Sequence, residues 1–194
     1  MEQELSQVSP DKDMLLTVGV FDGVHLGHRY LISRLREQAR ERGLLTGVVT
    51  FRQHPQAVLS PQTKLPFLTD LNQRISLLKN EGIEAVIPIS FTRELAQLSA
   101  RQFVSLLKEY LRMRGLVIGY DFALGRDREG DTNTLRVLGQ EMGFTVTSIS
   151  PVTVNSEVAS STAIREALAR GDMKWVHKLL GRHFSLHGPV TSGV

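Results

Sequence analysis

The amino-acid sequence predicts a doubly wound, Rossmann-like α/β fold, a parallel sheet of about five strands with helices on both faces. Three observations carry that expectation. Short apolar, β-branched runs recur five times along the chain. Between them lie segments whose apolar residues repeat at helical spacing, an alternation that specifies parallel strands joined by crossover helices. The stretches that look chemically specialised follow three of the strands, where open sheets of this kind bind ligands.

Residues 1–13 are polar and aperiodic, holding Glu2, Glu4, Asp11 and Asp13 against Lys12 alone, and are expected to form a loose tail. Leu15–Val20 reads as the first, buried strand. Arg29–Arg42 reads as a helix with Leu31, Leu35 and Ala39 on one face and Gly43 as its stop. Thr46–Phe51 is a second strand, followed by a proline-rich loop from Arg52 to Leu68 that carries Pro55, Pro61 and Pro66. A connection of that length binds something or covers a site. Thr69 or Asp70 caps the next helix, in which Leu71, Ile75 and Leu78 share a face.

Glu84–Ile89 is the third strand. Ser99–Arg114 is a helix with Phe103, Leu106, Leu107 and Tyr110 inward and Gly115 at its end. Leu116–Gly119 is the fourth strand and opens into a polar loop, Tyr120–Asp131. Thr132–Met142 is helical, Phe144–Ile149 is the fifth strand, and Thr162–Arg170 and Met173–Leu180 close the chain as short helices.

At 194 residues the chain is long enough for one domain with a real core. Apolar and charged fractions of 41% and 22% are those of an ordinary soluble protein. Neither a membrane-length apolar run nor a signal peptide is visible, so the cytoplasm is the expected compartment and no membrane partner is expected. The absence of cysteine removes disulfides and thiolate metal ligands. Net charge is +3, and because the first thirteen residues are acidic the rest of the chain is more basic, which suits anionic small molecules and equally an ordinary solvated surface. Nucleic acid is not expected, because basic runs are missing and aromatics are only 6%.

The chemistry concentrates at Gly19-Val20-Phe21-Asp22-Gly23-Val24-His25-Leu26-Gly27-His28, between the first strand and the first helix. Glycines there let backbone approach a ligand, and the helix start presents free N–H groups to an anion. His25 and His28, three residues apart, fall on one side of the first turn. These features point to phosphate chemistry. Zinc chelation by the two imidazoles is an alternative that needs a third protein ligand, and a pair of plain surface histidines is another. A second stretch, Ser160-Ser161-Thr162-Ala163-Ile164-Arg165, places hydroxyls at a helix start with an arginine one turn in, which also suits a phosphate.

Phe21–His28 resembles the His-x-Gly-His signature of the nucleotidyltransferase superfamily, and Ser160–Arg165 resembles that superfamily's Ser-Ser-Thr-x-Ile-Arg motif. Two further stretches are similar to one branch, the FAD synthetase module of bacterial bifunctional riboflavin kinase/FAD synthetases. They are Thr50-Phe51-Arg52-Gln53-His54-Pro55 and Gly119–Asp131. Gln53 replaces a usual proline and Leu124 a usual aromatic.

The resemblance implies adenylyl transfer from ATP, with Mg²⁺, to FMN, giving FAD and pyrophosphate. It implies His25, His28 and Arg165 as catalytic residues. Gly19, Phe21, Asp22, Gly23, Asp121, Arg128, Ser160, Ser161 and Thr162 would join them around ATP, and Gln53, His54, Pro55, Phe122 and Leu124 would face FMN. No protein-ligated metal is expected. Residues 14–180 would be the nucleotidyltransferase domain. Residues 181–194 are similar to the junction and first strand of a riboflavin kinase module, a possible contact partner, and kinase activity is not expected of this chain. A related transferase with another phosphate-ester acceptor, and a nucleotide- or flavin-binding module without turnover, are the alternatives.

Overall fold

The computed structural model describes residues 1–60, 62 and 66–186. Pro61 and the segment 187–194 lie outside the described residues, and with them most of the stretch 181–194 expected to begin a riboflavin kinase module. In chain order the elements are α1 (Glu2–Leu5), β1 (Met14–Gly19), α2 (Leu26–Glu41), β2 (Leu45–Phe51), α3 (Pro55–Leu59) and α4 (Leu71–Asn80). Then come β3 (Ala85–Ile89), α5 (Arg93–Ala96), α6 (Ala100–Leu111), β4 (Met113–Gly119), α7 (Thr132–Met142) and β5 (Thr145–Ile149). A two-stranded hairpin, β6 (Thr153–Val154) and β7 (Glu157–Val158), precedes α8 (Ser161–Ala169) and α9 (Met173–Leu180).

Five parallel strands lie in the order β3-β2-β1-β4-β5. The expected doubly wound sheet is therefore present. Alternation along each strand divides the core between its two faces. Met14, Leu16 and Val18 of β1 face a cluster with Leu5, Phe103, Leu107, Leu111, Leu135 and Leu138. Leu15 faces the opposite cluster, formed with Ile32, Leu35 and Ala39 of α2 and Leu78 of α4. A third cluster joins α8 and α9 through Ile164, Ala167, Val176 and Leu179, and Leu68 packs into it. Strand order reverses between β1 and β4, which opens a crevice at their carboxyl ends.

Three differences from the sequence reading have physical causes. Residues 1–13 are not simply a loose tail. Leu5 is fully buried against the sheet, and the Glu4 carboxylate accepts the Ser90 amide at 3.0 Å and the Ser90 hydroxyl at 2.9 Å. Gly115 does not end α6. That helix opens on a reciprocal Ser99–Gln102 capping box and ends at a left-handed Arg112. Gly115 pairs within β4, where a Cβ would lie 2.4 Å from Thr145 Oγ1 and 2.7 Å from Leu15 Cδ1. The long loop after β2 carries α3, begun by proline at its first turn and capped by His54.

Because Leu5 fills a closed part of the core, Leu5→Ala should destabilise the protein by about 2–4 kcal/mol. Urea unfolding checks this; an unchanged midpoint would mean that α1 adds nothing to the fold.

Candidate active site

The loop from Val20 to His25 leaves β1 in an unusual conformation. Phe21 and Val24 have φ of 53° and 38°, and Gly23 has φ of 79°. Non-glycine residues held in that region cost about 1–3 kcal/mol each and persist only where surrounding contacts over-determine them. Those contacts are present. The Asp22 carboxylate, 2% exposed, accepts the amides of Leu68 at 2.9 Å and Thr69 at 3.1 Å. It also pairs with the Arg165 guanidinium. The Gly23 amide donates to Thr69 Oγ1 at 3.1 Å, and Ser161 Oγ donates to the Asp22 carbonyl at 2.8 Å. Arg182 donates to the carbonyls of Val24 at 3.1 Å and Gly23 at 2.6 Å.

His25 then serves as the N-cap of α2, its Nδ1 accepting the His28 amide in a long 3.4 Å contact. An accepting Nδ1 in a neutral imidazole puts the proton on Nε2. The two rings stack with centroids 3.6 Å apart. Gly27 between them is required by close approach, since a Cβ there would meet the Ala159 carbonyl at 2.9 Å and the His25 ring at 3.1 Å. His28 Nδ1 is buried with no hydrogen-bond partner in the described protein, an orphan of the kind that marks functional sites.

A cavity of about 360 Å³ opens here, within the size range of small-ligand sites. It is bordered by His25, Gly27, His28, Gly119, Asp121 and Ser160, with Tyr120, Pro151, Val152 and Val158 giving it apolar walls. A second cavity of about 530 Å³ lies across the ends of β1 and β2. Its lining is mostly apolar, with Val18, Phe51, Pro55, Phe91, Phe122 and Leu124 among the residues, and Asp121 borders both cavities.

The expected residues are distributed as follows. His25, His28, Asp121 and Ser160 meet at the first cavity. Pro55, Phe122, Leu124, Gly19 and Arg128 line the second. Phe21, Asp22 and Gly23 are buried beneath the site. The oxygens of Asp22 are already engaged, so it acts as a brace for the loop and for Arg165.

Arg165 itself also donates to the Pro66 carbonyl at 3.0 Å. Ser160 Oγ accepts the Ala163 amide as the cap of α8, while Thr162 is exposed. Gln53 accepts the Phe91 amide at 3.2 Å. His54 caps α3 and packs near Phe67.

Sequence reasoning missed Arg74. It is fully buried and donates to the Val20 carbonyl at 2.8 Å and the Phe51 carbonyl at 2.9 Å, tying the ends of β1 and β2 together. Its signal was visible: a charged residue set among Leu71, Ile75 and Leu78 on the inward stripe of a helix. Thr69, the partner of both Asp22 and Gly23, was seen only as a possible cap.

With this geometry, the comparisons are specific. The FAD synthetase family model matches residues 7–163. The chain belongs to the FAD synthetase family. Bifunctional riboflavin kinase/FMN adenylyltransferase of Escherichia coli (strain K12) is 38% identical over 190 residues, covering 97% of this chain and 60% of that protein. The protein of the same description from Pseudomonas fluorescens is 38% identical over 178 residues, covering 91% of this chain and 57% of the relative. The chain thus spans about three-fifths of the length of these relatives.

A crystal structure from Streptococcus pneumoniae, of a protein described as a macrolide-efflux protein, superposes with a TM-score of 0.84 at 27% identity, covering 93% of this chain and 59% of that one. Among the described residues of this FAD synthetase family member, no helix is long and apolar enough to cross a membrane.

Burial sets the charge state of the histidines. His25, 6% exposed, has its pKa lowered from 6.5 to about 4, by burial first and then by the Arg182 charge. His28 is pushed well below 6.5 by burial, with His25 and Arg74 adding to the effect. Both are neutral at pH 7. A histidine that protonates more weakly folded than unfolded contributes stability in full above about pH 6.5. That contribution is lost as pH falls through the folded pKa, for His25 on the order of 3 kcal/mol. The melting temperature should therefore fall between about pH 6.5 and pH 4, and His25→Gln should flatten the profile in that window. An equally steep fall in the variant would contradict the assignment.

Proposed function

We propose that the chain transfers the adenylyl group of ATP to FMN, giving FAD and pyrophosphate. The observation that carries this reading is the pair of adjoining cavities. One is bordered by the stacked histidines and a helix start between apolar walls; the other is larger, mostly apolar and of a size for a planar ring system; both meet at Asp121. Family membership supports the choice of reaction, and the relatives are named for FMN adenylyltransferase activity.

An FMN phosphate oxygen attacks the α-phosphorus of ATP. The new P–O bond forms as the bond to the bridging oxygen breaks, and pyrophosphate departs with that electron pair. No covalent enzyme intermediate is needed, so catalysis rests on alignment and charge stabilisation. In the proposed arrangement neutral His25 donates from Nε2, and His28 donates beside it, as charge builds on the α-phosphate and the leaving group. The hydroxyls of Ser160 and Thr162 and the backbone N–H groups of Ser161 and Thr162 at the start of α8, with the N–H groups of Arg165 that Asp22 and Pro66 leave free, hold the β- and γ-phosphates.

Pro55, Phe122 and Leu124 would face the flavin, and Asp121 would sit where donor and acceptor meet. Among the described residues no cluster of three His, Asp or Glu side chains suits a metal ion. Mg²⁺ is assigned as part of the substrate, bound as Mg·ATP, on the resemblance stated above. We assign residues 14–180 to this activity, in the cytoplasm, and residues 181–194 to the junction with, and start of, a riboflavin kinase module of the kind the relatives' names include.

Incubation with Mg·ATP and FMN, followed by chromatography of the flavins, should yield FAD and pyrophosphate in equal amounts. His28→Ala should reduce turnover by about 10²–10³-fold. FMN binding without FAD would leave a flavin-binding module. Pyrophosphate release with a different phosphate ester and none with FMN would reassign the acceptor, and parental turnover by His28→Ala would refute the catalytic role.

A further inference from the structure

The helix α9 ends at Gly181, left-handed at φ 66°, and the chain there turns onto the first turn of α2. A Cβ at Gly181 would lie 2.7 Å from Leu26 Cδ2 and 2.9 Å from Arg29 Nη1, so the chain here runs close against the side chains of that turn. The next residue, Arg182, is half-buried and spends one guanidinium nitrogen on each of two successive carbonyls, Gly23 and Val24. Those two residues carry positive φ and immediately precede His25. Two parallel N–H donations from one planar fork fix orientation as well as distance. Arg29, on the same turn, is paired with Glu81 at 2.7 Å, so Arg182 has the loop carbonyls as its own polar partners among the described residues.

We propose that Arg182 is a positioning residue for the proposed adenylyl transfer: it clamps the strained Gly23–Val24 backbone and so sets where the His25 and His28 rings face the cavity. This rests on the proposed function above for its kinetic consequence, though not for the clamp itself. The loop has other restraints, from the Asp22 side chain, from Thr69 Oγ1 on the Gly23 amide, from Ser161 Oγ on the Asp22 carbonyl and from the Val24 amide to the Phe21 carbonyl, but none of them takes up the carbonyl of Gly23 or Val24. Arg182 alone among the described residues donates to the Gly23 and Val24 carbonyls from a side chain. Without it the peptide planes before His25 are free to rotate toward the ordinary negative-φ region, carrying the helix cap with them.

The test compares the parent chain with Arg182→Met, which keeps the apolar stem, and Arg182→Lys, which keeps the charge but supports fewer aligned donations. Hydrogen exchange of the Gly23, Val24 and His28 amides is read alongside FAD formation. Arg182→Met should speed exchange at these amides by roughly tenfold or more, as expected for losing charge-assisted bonds in a local opening. It should lower kcat on the order of 10²-fold, the scale for misplaced catalytic groups, with KM for FMN little changed and exchange in the β-sheet unaltered. Arg182→Lys should fall between the two.

Exchange unchanged at Gly23 and Val24 in Arg182→Met overturns the clamp. Faster exchange with parental kcat overturns its link to the histidines. A parent that makes no FAD, with faster exchange in the variant, refutes the proposed function while leaving the clamp standing.

Discussion

A single buried carboxylate organises the active end of this molecule. Asp22 receives two backbone amides from Leu68 and Thr69, the hydroxyl of Thr69, and the guanidinium of Arg165. Three segments distant in sequence are therefore held at one point: the loop after β1, the approach to α4 and the first turns of α8. A charge removed from water is tolerated only when paired and hydrogen-bonded on this scale, and losing one partner of such a set costs about 3–5 kcal/mol. The geometry of the histidine loop follows, because Phe21 and Val24 are held in backbone conformations they would not adopt unaided.

Around that brace, cations outnumber anions. Arg74 sits beneath the strand ends, Arg165 beside Asp22 and Arg182 under the histidine loop. Burial, with Arg182 behind it for His25 and with His25 and Arg74 behind it for His28, lowers both pKa values, so neutral imidazoles are available here as hydrogen-bond donors. His54 is lowered as well, by burial first and then by Arg165. One cavity lies over the helix start and the histidines, while the other lies over Phe51, Phe91 and Phe122.

The sheet was legible because four of its strands carry an apolar run of the right length and the fifth, Thr145–Ile149, is rich in β-branched residues, and because Thr132–Met142 and Met173–Leu180 have caps at both ends. Gly115 misled because a glycine after a helical pattern signals a stop, whereas here it relieves crowding between neighbouring strands. The hairpin Thr153–Val158 escaped notice because its two-residue strands are shorter than any periodicity can show.

At the site, motif residues that touch the cavity, such as His25, His28 and Ser160, could be named from local spacing. The roles of Asp22, Arg74 and Arg182 could not, because each is defined by partners far away in the chain: Asp22 by Leu68, Arg74 by Phe51, Arg182 by Gly23. Exposed Thr162 and capping His54 show the converse, since belonging to a motif does not tell which way a side chain is used.

The central claim is that the nucleotide donor seats against the stacked histidines at the start of α2. The most direct test is ¹⁵N NMR of the imidazole side chains during titration with Mg·ATP at neutral pH. The resonances of His25 and His28 should shift together and saturably, with Nε2 of His25 protonated throughout, while His177 and His183 stay unchanged. Saturable ATP binding that leaves both His25 and His28 resonances in place would contradict the account.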